Sequence, residues 1–192
     1  MLRIISAFVL SLVFGYGIAQ TQTLDVKEVL NTQYNLGSDG DKVMVVNYQR
    51  DMGAPVIVSW QSNDPKATLK SHSYTIAGAQ SSRRVHFDLN TAPAADAAIF
   101  WLSTKNFDEI TKGKTMIEMN GDKAQTPFVV KGKEDYNLLF NGKEMTVKAY
   151  RLESQDKDKS VSLLVLDNAK NPIVLKAEGL YNYELTDASS SD

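Results

Sequence analysis

Hydrophobic and polar residues alternate along most of this chain with the two-residue period of β-strands. Many of these segments are rich in β-branched and aromatic residues, and turn-forming residues separate them. The pattern predicts strands at 42–49, 55–60, 67–76, 83–89, 97–102, 115–120, 123–131, 136–140, 144–152, 161–166, 173–177 and 180–185.

The connections between these segments are short. The clearest is Asn141-Gly142, a pair that type I′ turns favour, between the strands at 136–140 and 144–152. Short turns imply an antiparallel meander, whereas parallel βαβ units need longer helices than this pattern contains. Because a flat open sheet of this size leaves exposed edges, we expect a mainly β fold that forms a half-barrel, a barrel or a sandwich.

We expect one or two short helices beside the strands. The segment 103–113 begins at Ser103, whose hydroxyl suits an N-cap, and Gly113 is a stop signal. Phe107 and Ile110 are three residues apart and so lie on one helical face.

The second predicted helix covers residues 25–34. Asp25 is a suitable N-cap, and Glu28 follows three residues later, as in a capping box. Apolar residues with helical spacing follow at Val26, Val29 and Leu30. A helix at this position would cover one open end or the concave face of the sheet.

Residues 1–19 have the pattern of a secretory signal peptide. Arg3 precedes an apolar run at 4–14, and the small residues Gly17 and Ala19 follow where a signal peptidase would cleave. The alternative, a membrane anchor, needs about 20 apolar residues, more than this run provides. The chain contains no cysteine, which excludes a lipid anchor on an acylated cysteine.

The remaining residues are expected to form a single β-rich domain at 20–187, followed by a disordered tail at 188–192. The absence of cysteine from an exported chain suits a bacterial periplasm or exterior. After cleavage no second apolar span remains, so we expect an exported protein that is neither lipid-anchored nor membrane-spanning.

The charge of the chain argues against nucleic acid as a partner. The full chain carries a net charge of −2, and loss of the signal would remove the basic Arg3 and no acidic residue. The sequence pI of about 5.7 is far below that of nucleic-acid-binding domains. The densest arginine pairing is Arg83-Arg84, too little for a face that follows phosphates.

Arg84, His86 and Asp88 alternate with apolar residues and form a candidate polar face of one strand. His86 and Asp88 would lie about 7 Å apart, close enough for an acid–base pair or a shared metal. A transition-metal site needs a third ligand, and His72 is the other histidine. The alternative is a solvated polar face, so we assign neither catalytic residues nor a metal site.

Established catalytic patterns are absent from the sequence. Ser71 and His72 are neighbours in a predicted strand and point to opposite faces, and no Gly-x-Ser-x-Gly motif occurs. The chain also has no P-loop, no His-Glu-x-x-His motif and no dinucleotide fingerprint, so no cofactor is predicted.

Large aromatic residues are the candidate ligand-binding groups. Trp60, Phe100 and Trp101 lie among predicted strands, where they would line an apolar groove for a lipid or a peptide in a half-barrel. The alternative is that they belong to the core, where such residues usually lie. Tyr181 and Tyr183 share this ambiguity.

The C-terminal half resembles exported bacterial β-rich proteins of unknown function. The likeness covers residues 98–187 and lies in the runs FWLSTKNFDEITKGKTMIEMNG, FNGKEMTVKAYRLES and LLVLDNAKNPIVLKAEGLYNYELTD. Asn168 and Ala169 depart from the acidic residue and proline typical of the last hairpin. The resemblance implies a fold and a compartment. The overall plan is also similar to periplasmic lipoprotein carriers, which hold acyl chains in a half-barrel.

The sequence therefore predicts an exported, non-enzymatic protein that binds a hydrophobic ligand or a partner in the cell envelope. One alternative is a structural or protein-interaction module of the envelope, for which we expect a filled interior and an exposed apolar patch. A second is a hydrolase or metal site that uses His86 and Asp88, which requires these side chains to converge in a pocket.

Overall fold

The computed structural model of the protein consists mainly of β-strands, which make up 64% of it, with a single short helix among the residues described. It describes Leu24 and residues 29–36, 42–49, 56–63, 68–74, 82–88, 91–120, 124–158, 160–179 and 181–191. The mainly β fold predicted from the hydrophobic pattern is confirmed. The predicted signal peptide at 1–19 lies outside the described residues.

The described residues form twelve strands and one helix. The first six strands are β1 (Val29–Leu36), β2 (Lys42–Gln49), β3 (Val56–Ser62), β4 (Lys70–Tyr74), β5 (Arg84–His86) and β6 (Ala98–Ile99). The helix α1 (Thr104–Ile110) precedes β7 (Lys114–Met119), β8 (Thr126–Phe140), β9 (Lys143–Ser154), β10 (Ser162–Leu166), β11 (Val174–Glu178) and β12 (Tyr183–Ser191).

All twelve strands belong to one sheet, in the order β4-β3-β2-β1-β12-β11-β10-β9-β8-β7-β5-β6. Most neighbours are antiparallel, but β5 pairs in parallel with β6 and with β7. The last strand changes partner along one edge. Its residues Tyr183 and Glu184 pair with β11, and Asp187 and Ala188 pair in parallel with β8. This change closes β8 to β12 into a ring of five strands.

The hairpin predicted around Asn141-Gly142 is confirmed. β8 and β9 pair in register from Phe140↔Lys143 outward, and both turn residues have positive φ, 51° for Asn141 and 73° for Gly142. Positive φ at both central positions is what a type I′ turn requires. The hairpin is longer than predicted and forms the most extensive strand pair of the sheet.

The predicted helix at 103–113 is also confirmed. The hydroxyl of Ser103 accepts a hydrogen bond from the backbone N–H of Asn106 at 3.0 Å, as an N-cap does. Phe107 and Ile110 are buried, and Gly113 leaves the helix with a φ of +95°. An N-cap and a glycine stop are local signals, which explains why sequence alone located this helix.

The predicted helix at 25–34 is wrong. Residues 29–36 form β1, which pairs with β2 on one side and β12 on the other. Leu30, Thr32 and Tyr34 are buried on one face, so the period is two rather than 3.6. The three apolar residues of the predicted helical stripe were too few to outweigh two flanking strands. Residues 25–28 lie outside the described part of the chain.

The prediction of a disordered tail at 188–192 is wrong up to Ser191. These residues extend β12, in register with β1 from Ala188↔Thr32 to Ser191↔Val29. The backbone N–H of Ser190 also donates to the side chain of Asn141 at 2.9 Å. A serine-rich segment usually has few apolar contacts, but here a ladder with β1 orders it. Asp192 lies outside the described residues.

The inner face of β1 to β4 packs against the segment around β6. The ring of Tyr34 stacks on Phe100 with centroids 4.7 Å apart, and Tyr48 contacts Trp101 edge-on at 5.4 Å. Phe100 itself is fully buried and has a φ of 49°, rare for a bulky residue. This conformation lets the backbone bridge two sheet regions, since Phe100 donates to His86 and accepts from Val174.

Tyrosine hydroxyls donate hydrogen bonds to backbone carbonyls near the irregular parts of the β-sheet. The hydroxyl of Tyr136 donates to the carbonyl of Leu185 at 2.5 Å, where β12 changes partner from β11 to β8. The hydroxyl of Tyr34 donates to the carbonyl of Val174 at 3.1 Å. Burial raises the pKa of both phenols, so both remain neutral donors near pH 7.

The bond from Tyr136 leads to a prediction about the ring of five strands. Tyr136→Phe keeps the buried ring but leaves the carbonyl of Leu185 without its hydroxyl donor. We expect a loss of about 1–3 kcal/mol in the free energy of unfolding, measured by urea denaturation, because a buried acceptor loses its partner. Thr146→Val on the exposed face of the same hairpin is the control and should change stability by less. A free energy of unfolding that is the same in Tyr136→Phe as in the parent protein would contradict the prediction.

Candidate functional site

The predicted polar face of β5 does not form. His86 is only 1% exposed, and its neighbours Val85 and Phe87 are also buried. The interpretation of His86 as part of a solvated face is therefore wrong. The reason is tertiary: Val85 and His86 point to opposite faces of β5 and are both buried, so both faces of the strand are covered and alternation no longer separates core from solvent.

The other two residues of that face point elsewhere. Arg84 is partly exposed and forms ion pairs with Asp96 and Glu118, each at 2.8 Å. The carboxylate of Asp88 accepts a hydrogen bond from Thr91 at 3.1 Å. Within the described part of the chain, no group of three or more His, Cys, Asp or Glu side chains could hold a metal ion.

The three candidate ligand-binding aromatics belong to the core. Trp60, Phe100 and Trp101 are all buried. Phe100 packs edge-on against Phe87 and Tyr183, with centroids 5.6 Å and 5.1 Å apart. Their burial agrees with the alternative interpretation, that these residues belong to the core, and within the described part of the chain it leaves them little surface for an apolar groove. The aromatic interior is filled by its own side chains.

Asn120 joins β5 to the end of β7 and to the C-terminal aromatic residues. Its side-chain oxygen accepts from the backbone N–H groups of Phe87 and Asp88, at 2.6 Å and 2.9 Å, and its amide nitrogen donates to the hydroxyl of Tyr181. Its φ of 51° is positive, which asparagine tolerates better than most residues. The sequence predicted only the end of a strand at this position.

An open groove lies between the β8–β9 hairpin and β12. It has a volume of about 570 Å³. It exists because β12 joins β8 only at residues 187 and 188, so the two strands diverge before that point. Its lining combines apolar, amide, hydroxyl and carboxylate groups, from Tyr136, Asn137, Leu138, Leu139, Glu144, Met145, Thr146, Glu184, Leu185 and Thr186.

The outer face of β1 to β4 has an unusual composition, and we call it the neutral face. Its side chains alternate with the buried ones and are Val29, Asn31, Gln33, Asn35, Val43, Val45, Asn47, Gln49, Ile57, Ser59, Gln61, Ser71 and Ser73. None of these residues is charged. The amide of Asn47 donates to the side chain of Asn31 on the adjacent strand.

Large apolar side chains are exposed on and beside the neutral face. Val45 and Ile57 are each 48% exposed, and Leu69, just before β4, is 62% exposed. The ion pairs of the described residues, in contrast, all join residues between Arg83 and Glu184. Charge is thus concentrated on one part of the sheet and absent from the neutral face.

Comparison with known proteins found no match among protein-family models, curated proteins or solved structures. Among the residues described, no helix has the length and apolar character needed to cross a membrane. The candidate sites therefore rest on the structure itself: the groove beside β12 and the neutral face.

The position of Asn120 leads to a second prediction. Asn120→Gly removes the side-chain acceptor of two backbone N–H groups without straining the positive φ, and Asn120→Ala adds that strain. We expect the glycine variant to lose about 1–3 kcal/mol of unfolding free energy because buried donors become unpaired. The alanine variant should lose more. If both variants unfold at the parent's urea concentration, Asn120 does not stabilise this junction.

Proposed function

We propose that this protein is an exported, non-enzymatic interaction module of the cell envelope that binds a partner protein through its neutral face. The observation that carries the proposal is the contrast between a filled aromatic interior and an uncharged outer face with exposed Val45 and Ile57. Contiguous exposed apolar surface with a polar rim is typical of interaction sites.

The packing of the interior favours a binding site on the surface of the protein over one in an internal cavity. A half-barrel carrier holds its ligand between the sheet and the capping elements, whereas here Phe100 and Tyr34 stack directly across that space. Trp60 and Trp101 are buried in the same core. A ligand in this place would have to displace several aromatic side chains at once, which is costly in a close-packed core.

The chemistry of the neutral face defines the partner. The centres of protein interfaces are poor in charged residues, because an unpaired charge loses its hydration on binding. A face made of amides, hydroxyls and aliphatic groups suits a partner surface of the same kind, since amides and hydroxyls both donate and accept hydrogen bonds. The secretion pattern of residues 1–19 supports a partner outside the cytoplasm.

The proposal predicts that a charge at the centre of the neutral face blocks binding. We expect Ile57→Lys to reduce partner binding at least tenfold, because the partner would have to desolvate the ammonium group. The measurement is site-specific photo-crosslinking from position 61 in the cells that produce the protein, followed by identification of the crosslinked protein.

Leu139→Lys is the matched control. Like Ile57, Leu139 is a large exposed apolar residue, but it lies on β8, outside the neutral face. The crosslink should persist in this variant and disappear in Ile57→Lys while both proteins stay folded. Loss of the crosslink in both variants, or in neither, would argue against docking on the neutral face.

A second candidate function is ligand binding in the groove between β8, β9 and β12, favoured by its volume of about 570 Å³. Leu138, Met145 and Leu185 provide an apolar surface, and Glu144 and Glu184 carry the negative charges of the lining. The lining is thus mixed and suits a ligand that has both apolar and polar groups, and a positive group on that ligand would face the carboxylates.

The groove predicts a bound ligand in protein taken from its own envelope. Native mass spectrometry should detect an added mass on the parent protein, and Met145→Trp should remove it, because the larger side chain fills the groove. Ile57→Lys should keep the added mass, since Ile57 lies on the other part of the sheet. No added mass on the parent protein would exclude this second function.

A further inference from the structure

The two histidines of the chain, His72 and His86, come from strands near opposite ends of the sheet. Tyr48, Val58 and His72 form one cross-strand row on the inner face of β2, β3 and β4. The hydroxyl of Tyr48 donates to the carbonyl of Ile99 at 2.9 Å, and Ile99 pairs with His86 in the β5–β6 ladder. The row that contains His72 therefore contacts β6, the strand that pairs with the strand containing His86.

The ring of His86 is buried in this contact, and its nitrogens lack well-formed hydrogen bonds. Neither of its nitrogens makes a hydrogen bond of normal geometry to the described residues, and the same holds for the indole nitrogen of the buried Trp60. Buried polar atoms are normally paired, so unpaired ones mark a weak part of the core. We call the contact of β3 and β4 with β5 and β6 the histidine seam.

The groups around His86 determine how it responds to acid. Burial lowers the pKa of His86, and the charge of His72 lowers this pKa further. The backbone of Asp88 and Thr91 and the carboxylate of Asp88 act in the opposite direction and raise it. Burial also lowers the pKa of His72, against an opposing effect of the Ala97 backbone. The other ionisable residues on β2, β4 and β5 are Lys42, Tyr48, Lys70, Tyr74 and Arg84, and β3 and β6 contain none.

We infer that the histidine seam is an acid-sensitive contact, which holds β3 and β4 against β5 and β6 at neutral pH and loosens when His72 and His86 take up protons. Two imidazolium groups in one buried contact repel each other, and only the carboxylate of Asp88 offsets their charge among the groups named above. Loosening the seam frees the edge strand β4 and the part of the sheet that carries the neutral face.

The sign of the effect on stability follows from the lowered pKa values. An unfolded histidine takes up a proton near pH 6.5, whereas the folded protein takes it up only at lower pH. The unfolded state thus binds more protons below about pH 6.5, and stability falls as the pH drops through this range. Carboxylates such as Asp96, whose pKa is lowered by the hydrogen bond from Arg84, lose their contribution at more acidic pH.

The first test is the pH dependence of the unfolding equilibrium between pH 7.5 and 5.5. For the parent protein we expect the unfolding constant to rise below pH 6.5, with a limit of about tenfold per pH unit for each histidine. His86→Phe should fold, because an apolar ring of similar size replaces unpaired nitrogens. The variants His86→Phe and His72→Gln should each reduce the dependence of the unfolding constant on pH.

The double variant is the matched control, because it contains no histidine. Its unfolding constant should be nearly flat over the same range. A flat profile in the parent protein, or an unchanged slope in the double variant, would overturn the inference. NMR titration of the two imidazoles in the parent protein needs no variant, and a histidine that titrates at or above pH 6.5 in the folded state would also overturn it.

The second test asks whether the response is local. Hydrogen exchange at pH 7.5 and pH 5.5, corrected for the intrinsic rates, should show reduced protection at pH 5.5 in β4 and β5. The β8–β9 hairpin serves as the internal control and should keep its protection. Equal loss of protection in the hairpin and in the seam would mean that acid acts on the whole fold and would refute a local contact.

Discussion

A buried carbonyl oxygen needs a donor where its β-ladder is interrupted, and this requirement decides where the sheet of this protein is able to bend. Tyr136 supplies a donor at the point where β12 leaves β11 and joins β8. Tyr34, Tyr48 and Tyr183 supply donors to carbonyls of Val174, Ile99 and Phe87. A tyrosine side chain has an apolar ring that packs in the core and a terminal hydroxyl that donates to a backbone carbonyl, so one residue serves both purposes.

The elements that sequence analysis located are those with local causes. Asn141-Gly142 specifies its own turn, and Ser103 caps its own helix. The segment at 29–36 has no such local determinant, and its strand depends on β2 and on β12, which lies about 150 residues later in the chain. The partner change of β12 depends likewise on β8 and β11 together. Periodicity describes which face of a segment is buried, but not which distant segment buries it.

The candidate site shows the same limit. The alternation of Arg84, His86 and Asp88 is real in the sequence, yet the burial of Val85 and His86 shows that both faces of β5 are covered. The buried state of Phe100 and Trp101 likewise follows from packing against β1 and β2. The neutral face, in contrast, was present in the sequence, because the strands at 29–62 contain almost no charged residues. That these residues form one continuous surface became clear only from the register in which β1 to β4 pair.

The place of β12 in the sheet has a consequence for the order in which the protein is able to assemble. β1 to β4 join the ladder of the other strands through β12, which follows all of them in the sequence. During synthesis or translocation from the N-terminus, the first four strands must therefore wait for β12 before their ladder is complete. Until then an edge of β1 stays unpaired, and unpaired edges promote aggregation. The pairing of β1 with β12 thus couples the assembly of the first four strands to a segment that emerges much later.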